Sequence, residues 1–170
     1  MVLYVTEDKE LHFNHQIYPC SIGKGGFKDA KDKREGDGAT PRGIFPLRKL
    51  FFRPDKISTT FTSYLSPTPL TPKMGWCDDP TSPFYNQQIT RPFSANHEKL
   101  WRSDEIYNLI IVIGFNDHPP RPGGGSAIFI HLARPNWQPT AGCVALRQED
   151  LLSIFTSHNP PHEIHIGNDK

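Results

Sequence analysis

The 170-residue chain is predicted to be mainly β, with one helix near its C-terminus. Three observations carry this. Its 17 prolines and 13 glycines are spread along the chain, which suits many short elements joined by defined turns better than a helical bundle. Most apolar stretches are short and either alternate with polar residues or run β-branched, whereas helical periodicity shows once. The length suits one domain, residues 1–170, with its own hydrophobic core.

Residues 2–6, 10–14 and 16–22 alternate well enough for an opening strand meander. Lys28 to Gly38 is charged and glycine-containing and reads as a surface loop. Thr40-Pro-Arg-Gly43 reads as a turn, and Ile44 to Phe52 as the strand that follows it. Residues 65–96 mix prolines, polar groups and aromatics. They predict a long irregular stretch that is nonetheless packed, because Trp76, Phe84, Tyr85 and Phe93 need burial or a ligand. Ile106 to Phe115 is a β-branched run and predicts a central strand. Arg121-Pro-Gly-Gly-Gly125 is a turn or cradle leading into a strand that ends at His131. Gln148 to His158 carries Leu151, Leu152, Ile154 and Phe155 at helical spacing, with Pro160 and Pro161 beyond its end. Glu163 to Ile166 reads as a final strand.

The formal net charge is +1, which gives no electrostatic reason to expect nucleic acid or an anionic membrane surface as partner. No apolar run approaches membrane-spanning length, so no membrane insertion is expected. The opening residues, Met-Val-Leu-Tyr-Val-Thr, read as a first strand rather than a leader. The expectation is therefore a cytoplasmic, monomeric protein, or a periplasmic one if a leader has been removed. Cys20, Cys77 and Cys143 are far apart and odd in number, which fits a reducing compartment better than a disulfide scaffold.

The chemistry concentrates in Ala127-Ile-Phe-Ile-His131 and Thr140-Ala-Gly-Cys143. A thiol and an imidazole suffice for covalent acyl transfer: the ring takes the thiol proton and the sulfur attacks a carbonyl. A lone free cysteine is most often a small buried hydrophobe. Here Gly142 removes the neighbouring side chain, and the turn exposes backbone N–H groups that can stabilise an oxyanion. Thr140 supplies a hydroxyl to orient the turn or the imidazole. His131 is the candidate general base and then general acid; Thr140, Ser126 or a backbone carbonyl can hold its ring.

These residues resemble the signature of the L,D-transpeptidase catalytic domain, the YkuD family. Glu35-Gly-Asp-Gly-Ala-Thr40-Pro41-x-Gly43-x-Phe45-Pro46-Leu47 is similar to that family's Thr-Pro-x-Gly-x-Phe segment. Gly75-Trp76-Cys77-Asp78-Asp79-Pro80, Tyr85-Asn86, His97-Glu98 with Leu100-Trp101-Arg102, and Gly114-Phe-Asn-Asp117 look like a compact branch of it, so the resemblance covers nearly the whole chain. It implies a β-sandwich-like domain and cysteine acyl transfer on peptidoglycan stem peptides or muropeptides. The implied roles are nucleophile for Cys143, general base for His131, and turn or oxyanion support for Thr140 and Gly142. The expected activity is an L,D-carboxypeptidase that releases terminal D-alanine from tetrapeptides in wall recycling, with cross-linking transpeptidation and a silent wall-peptide binding module as the alternatives.

The sequence departs from the commoner family pattern in two places. Ala141 stands where a second histidine often precedes the cysteine, and Ala145 where an arginine often follows it. Binding of the substrate carboxylate therefore falls to Arg134, Arg147, Arg121 or Arg102, since a guanidinium pairs well with a carboxylate. Trp76, Tyr85 and Trp101 either shape a substrate cleft or fill the core. Cys77, Asp78, Asp79, His97, Glu98 and His118 are metal-ligand types, but no His-Glu-x-x-His or Cys-x-x-Cys spacing joins them, so no metal and no cofactor are expected. Gly123-Gly-Gly125 lacks the Lys-Ser/Thr of a phosphate loop and reads as a close backbone approach or a lid.

Overall fold

The computed structural model describes residues 1–61 and 64–167. The opening meander is β1 (Val2–Val5), β2 (Glu10–Phe13) and β3 (Gln16–Pro19). Then come β4 (Phe27–Asp29), the long β5 (Thr40–Phe52) and the short β6 (Thr68–Pro69). A small group follows: β7 (Met74–Cys77), β8 (Gln88–Thr90) and β9 (His97–Lys99). The chain ends with β10 (Leu109–Ile113), β11 (Phe129–Leu132), β12 (Val144–Leu146), helix α1 (Gln148–Phe155) and β13 (Glu163–Ile166).

The main sheet has the order β12-β11-β10-β5-β13-β1-β2-β3, with β4 and β6 also on β5. β5 joins its two halves. Gly43 to Pro46 pair with β13, and Leu47 to Phe52 pair with β10. Past β3 the chain crosses to the opposite edge, where Ser21 exchanges hydrogen bonds with Ala145 at 2.8 Å. The two ends of the sheet are thereby brought together, which shields edges that would otherwise invite further pairing.

Alternation along the strands creates two apolar layers. Leu109, Ile111, Ile113, Ile130, Val144 and Leu146 join Leu3, Val5, Leu11, Ile164 and α1 in the larger core. Ile110, Val112, Phe129 and Cys143 face the other way, against Trp76, Leu100 and Tyr107 from the β8-β7-β9 sheet and its flanks. All five residues of β10 are therefore buried, which explains why its sequence is continuously apolar.

The mainly β class and the C-terminal helix are as expected, with four local differences. Thr40-Pro-Arg-Gly43 is not a turn: β4 pairs in parallel with Thr40 to Arg42 and β13 takes Gly43, so the motif opens the strand. The stretch 65–96 holds strands β6, β7 and β8, their pairing being non-local and invisible to periodicity. The central strand begins at Leu109 rather than Ile106. The helix stops at Phe155, and beyond its end the Thr156 and Ser157 hydroxyls satisfy the carbonyls of Leu152 and Ile154 at 2.8 and 2.7 Å.

Candidate active site

Cys143 sits one residue before β12, at the end of a turn held from two sides. Inside the turn, the Thr140 hydroxyl donates to the Cys143 carbonyl at 2.6 Å and accepts from the Gly142 N–H at 3.1 Å. Outside it, Thr140 N–H donates to the Ile22 carbonyl and Lys24 N–H to the Thr140 carbonyl, both at 2.9 Å. Gly23, between them, gives its N–H to the Thr40 hydroxyl at 2.8 Å. The Thr-Pro-x-Gly segment and the Thr-x-Gly-Cys turn, 100 residues apart in sequence, thus brace each other. Gly142 has φ +140°, and a Cβ there would lie 2.8 Å from the Ala39 carbonyl oxygen, so only glycine fits.

The Cys143 sulfur is buried between two backbone groups. Its thiol donates to the Ala127 carbonyl at 3.2 Å and accepts from the Phe129 N–H at 3.3 Å. Ala127 has φ +53°, a conformation unusual for alanine. Asn86 holds it there: its side-chain oxygen accepts from Ala127 N–H at 3.0 Å and from the Trp76 indole at 2.9 Å, while its amide nitrogen reaches the Phe115 and Asn116 carbonyls. Burial pushes the Cys143 thiol up to about 12, and the nearby Glu98 charge adds to this.

His131 pairs with Ala145 across β11 and β12, and alternation puts it on the same face as Phe129 and Cys143. Its Nδ1–H donates to the Leu132 carbonyl at 2.9 Å. A carbonyl only accepts, so the proton is on Nδ1 and Nε2 carries the lone pair. Burial lowers the imidazole to about 4, against the pull of that hydrogen bond, so the ring is neutral at pH 7. Of the three candidate holders of the ring, the backbone carbonyl is the one in place. Thr140 spends its hydroxyl on the turn, and Ser126 gives its own to Glu35 at 2.7 Å. The Tyr107 ring meets His131 edge-on, with centroids 5.4 Å apart.

Both groups line one cavity of about 360 Å³. Ala141 and Ala145, the two departures from the commoner family pattern, line it as well. Arg102 and Arg134 reach it and share Asp104, at 2.7 and 3.4 Å. Arg147 instead pairs with Asp150 and lies over Trp137, and Arg121 ties down the carbonyls of Lys31 and Lys33. Trp76 is buried against Phe129, 5.1 Å between centroids, and Trp101 stacks under Arg53 at 3.7 Å. Tyr85 is buried, its hydroxyl bonded to Glu35 and Gly125. None of these three aromatics lines the cavity of Cys143, so their place is structural support behind it.

Sequence reasoning passed over Lys33, Glu35, Asn86, Tyr107, Asp78 and Glu98 as parts of this site. Lys33 was read as part of a surface loop, yet its side chain is 3 % exposed and pairs with Asp37 at 2.6 Å beside the cavity. Asp78 and Glu98 stood out as metal-ligand types and as members of segments of family resemblance, as Glu35 did, but with no role in the site. Tyr107 and Asn86 carry no local signal, although Asn86 lies in a segment of family resemblance.

The L,D-transpeptidase catalytic domain family, YkuD, matches residues 1–164. An L,D-transpeptidase structure (residues 123-326) from Xylanimonas cellulosilytica DSM 15894 has a TM-score of 0.44 and 14% identity, over 97% of this chain and 59% of that one. The structure of Bd1075 from Bdellovibrio bacteriovorus has a TM-score of 0.44 and 18% identity, over 97% of this chain and 46% of that one. The chain thus spans about half the length of these two structures. No curated protein matches it.

Proposed function

The chain belongs to the L,D-transpeptidase catalytic domain family, and from that premise we propose that it cleaves the bond between the diamino acid and terminal D-alanine of a peptidoglycan tetrapeptide, through an acyl-enzyme on Cys143. One observation carries the reading. A buried thiol and an imidazole with its lone pair on Nε2 share one face of a parallel strand pair and one cavity.

The resting thiol is neutral and turned toward the Ala127 carbonyl. In the reaction it rotates to His131 Nε2, which takes the proton as the sulfur attacks the carbonyl carbon of the diamino acid. The carbonyl electrons move to the oxygen. Gly142 N–H is committed to Thr140, so of the Gly142 and Cys143 amides it is the Cys143 N–H that is left to face that oxyanion. The role of Gly142 and Thr140 is then to hold the turn rather than to bind the oxyanion. The tetrahedral adduct collapses, the imidazolium gives its proton to the leaving amine, and D-alanine departs. Arg102 and Arg134, each with donors beyond those spent on Asp104, receive the D-alanine carboxylate.

Water then attacks the thioester with His131 as base, which returns the thiol and a tripeptide. A cavity at the small end of ligand-site volumes supports hydrolysis, since it suits one stem terminus rather than two. Incubation with a tetrapeptide muropeptide, followed by mass spectrometry, tests this. Tripeptide and free D-alanine are expected, with turnover lost by about a thousandfold or more in Cys143→Ala. Cross-linked dimer as the sole product overturns the hydrolytic step in favour of transpeptidation. Stem binding with no acyl-enzyme at all overturns the enzyme reading in favour of a binding module.

A further inference from the structure

Tyr107 touches both parts of the cavity that must act together. Its ring meets the His131 ring at a steep angle, with centroids 5.4 Å apart. The Arg102 guanidinium lies over the same ring, 5.3 Å from its centre. All three residues line the cavity of Cys143. Tyr107 is itself held fast: its side chain is buried, its hydroxyl donates to Glu98 on β9 at 2.8 Å, and Phe129 packs against it with centroids 6.0 Å apart. Burial raises the phenol well above its ordinary range, so the proton that Glu98 accepts stays on it. The backbone is tied to the same place. The carbonyl of the preceding residue, Ile106, accepts from the Leu132 N–H at 2.9 Å, and the Leu132 carbonyl in turn holds His131.

His131 and Arg102 each need such a support. Among the described residues the imidazole has one hydrogen bond, from Nδ1, which pins one atom of the ring and leaves its plane to packing. Arg102 is forked onto Asp104, a partly exposed side chain, at 2.7 Å through two nitrogens, and the Tyr107 face is what the guanidinium rests on. Arg102 and Arg134 share that single carboxylate, so the pair keeps positive charge for a ligand. We infer that Tyr107 is a positioning residue, which fixes the His131 imidazole and the Arg102 guanidinium relative to each other. This rests on the acyl-transfer reading above and deepens it, by naming what makes the donor's terminal carboxylate count toward the rate. The leaving amino acid presents its amine to His131 and its carboxylate to Arg102, and one residue spans only about 3.5 Å. A shift of about 1 Å in either group therefore breaks one of the two contacts.

The test uses the full chain and two tetrapeptide donors, one ending in D-alanine and one in D-alaninamide, with no acceptor added. Release of the terminal residue is followed by mass spectrometry. The unmodified protein is expected to favour the free acid about 10- to 100-fold in kcat/KM, the worth of a charge-assisted hydrogen bond. In Tyr107→Leu and Tyr107→Met, kcat on the acid is expected to fall at least about tenfold and the acid preference to shrink below about threefold. Tyr107→Phe, which keeps the ring and drops only the bond to Glu98, is expected to restore the preference. Loss of folded protein alone lowers both donors alike, so an unchanged ratio in the folded Leu and Met variants overturns the inference. Loss of the preference in Tyr107→Phe overturns it as well, and that variant decides if the other two fail to fold. Equal release from both donors by the unmodified protein removes the carboxylate contact, and the inference with it, while acyl transfer stands. Release from neither overturns both.

Discussion

His131 on β11 and Cys143 at the head of β12 project to the same side of a parallel strand pair, away from the larger core. The register fixes this, with His131 opposite Ala145 and Ile130 opposite Val144. Because side chains alternate, a one-residue slip would turn one of the pair into the core and separate them. Eleven residues of intervening loop, including a 3₁₀ turn at Pro135–Trp137, allow the parallel return.

The His131 imidazole is expected to stay neutral, with its proton on Nδ1, from neutral pH down to about 4. Nitrogen chemical shifts of the ring, followed through a pH titration, check this. An exposed histidine takes its proton near 6.5, so between about 6.5 and 4 the unfolded chain binds more protons than the folded one. The contribution of this group to stability therefore falls as pH drops through that window and levels off below it. Thermal melts of His131→Gln should lose that part of the slope. A ring that protonates near 6.5 in the folded protein contradicts the burial argument.

The Cys143 thiol, held up to about 12, should resist alkylation at neutral pH. Iodoacetamide labelling, located by mass spectrometry, is expected to be at least about tenfold slower at Cys143 in the folded protein than in urea, since the thiolate is the reactive form. Fast labelling at pH 7 would instead indicate a preformed thiolate–imidazolium pair.

Gly142→Ala tests the turn. The added Cβ meets the Ala39 carbonyl oxygen at 2.8 Å, on a backbone with φ +140°. A loss of about 1–3 kcal/mol is expected by denaturant melting. Activity should fall further than stability, because the strain moves the residue next to the sulfur.

Asn86→Leu tests the support behind the thiol. The substitution nearly keeps the volume but removes four hydrogen bonds, to Trp76, Ala127, Phe115 and Asn116. Destabilisation of about 3 kcal/mol or more is expected, since three of the four bonds, to Trp76, Ala127 and Phe115, are buried. Ala127 loses what fixes its positive φ, so the carbonyl that orients the Cys143 thiol is released. An active, fully stable variant would show that Ala127 holds its conformation unaided.

Much of this was legible in the sequence, for local reasons. The alternation of β1, β2 and β3 follows from a two-residue period, and α1 from a 3.6-residue period, so each announces itself within a short window. Thr140, Gly142 and Cys143 were legible because they form one short run, a thiol beside a glycine and a hydroxyl, that also carries the family resemblance. What was missed is non-local. Strands β7, β8 and β9 hold together by pairing with one another and by covering Trp76, Tyr107 and Phe129, which no short window contains.

The sequence by itself determined the mainly β class and the C-terminal helix and offered a thiol and an imidazole as candidates for acyl transfer, since composition, period and side-chain reactivity belong to the chain before it folds. Only the tertiary structure decided that Leu132 orients His131, that Asn86 and Ala127 seat the thiol, and that Lys33, Glu35, Asp78, Glu98, Arg102 and Arg134 line one cavity with it. Those relationships depend on strand register and on burial, and both arise when distant segments pack, not from any residue's neighbours in sequence.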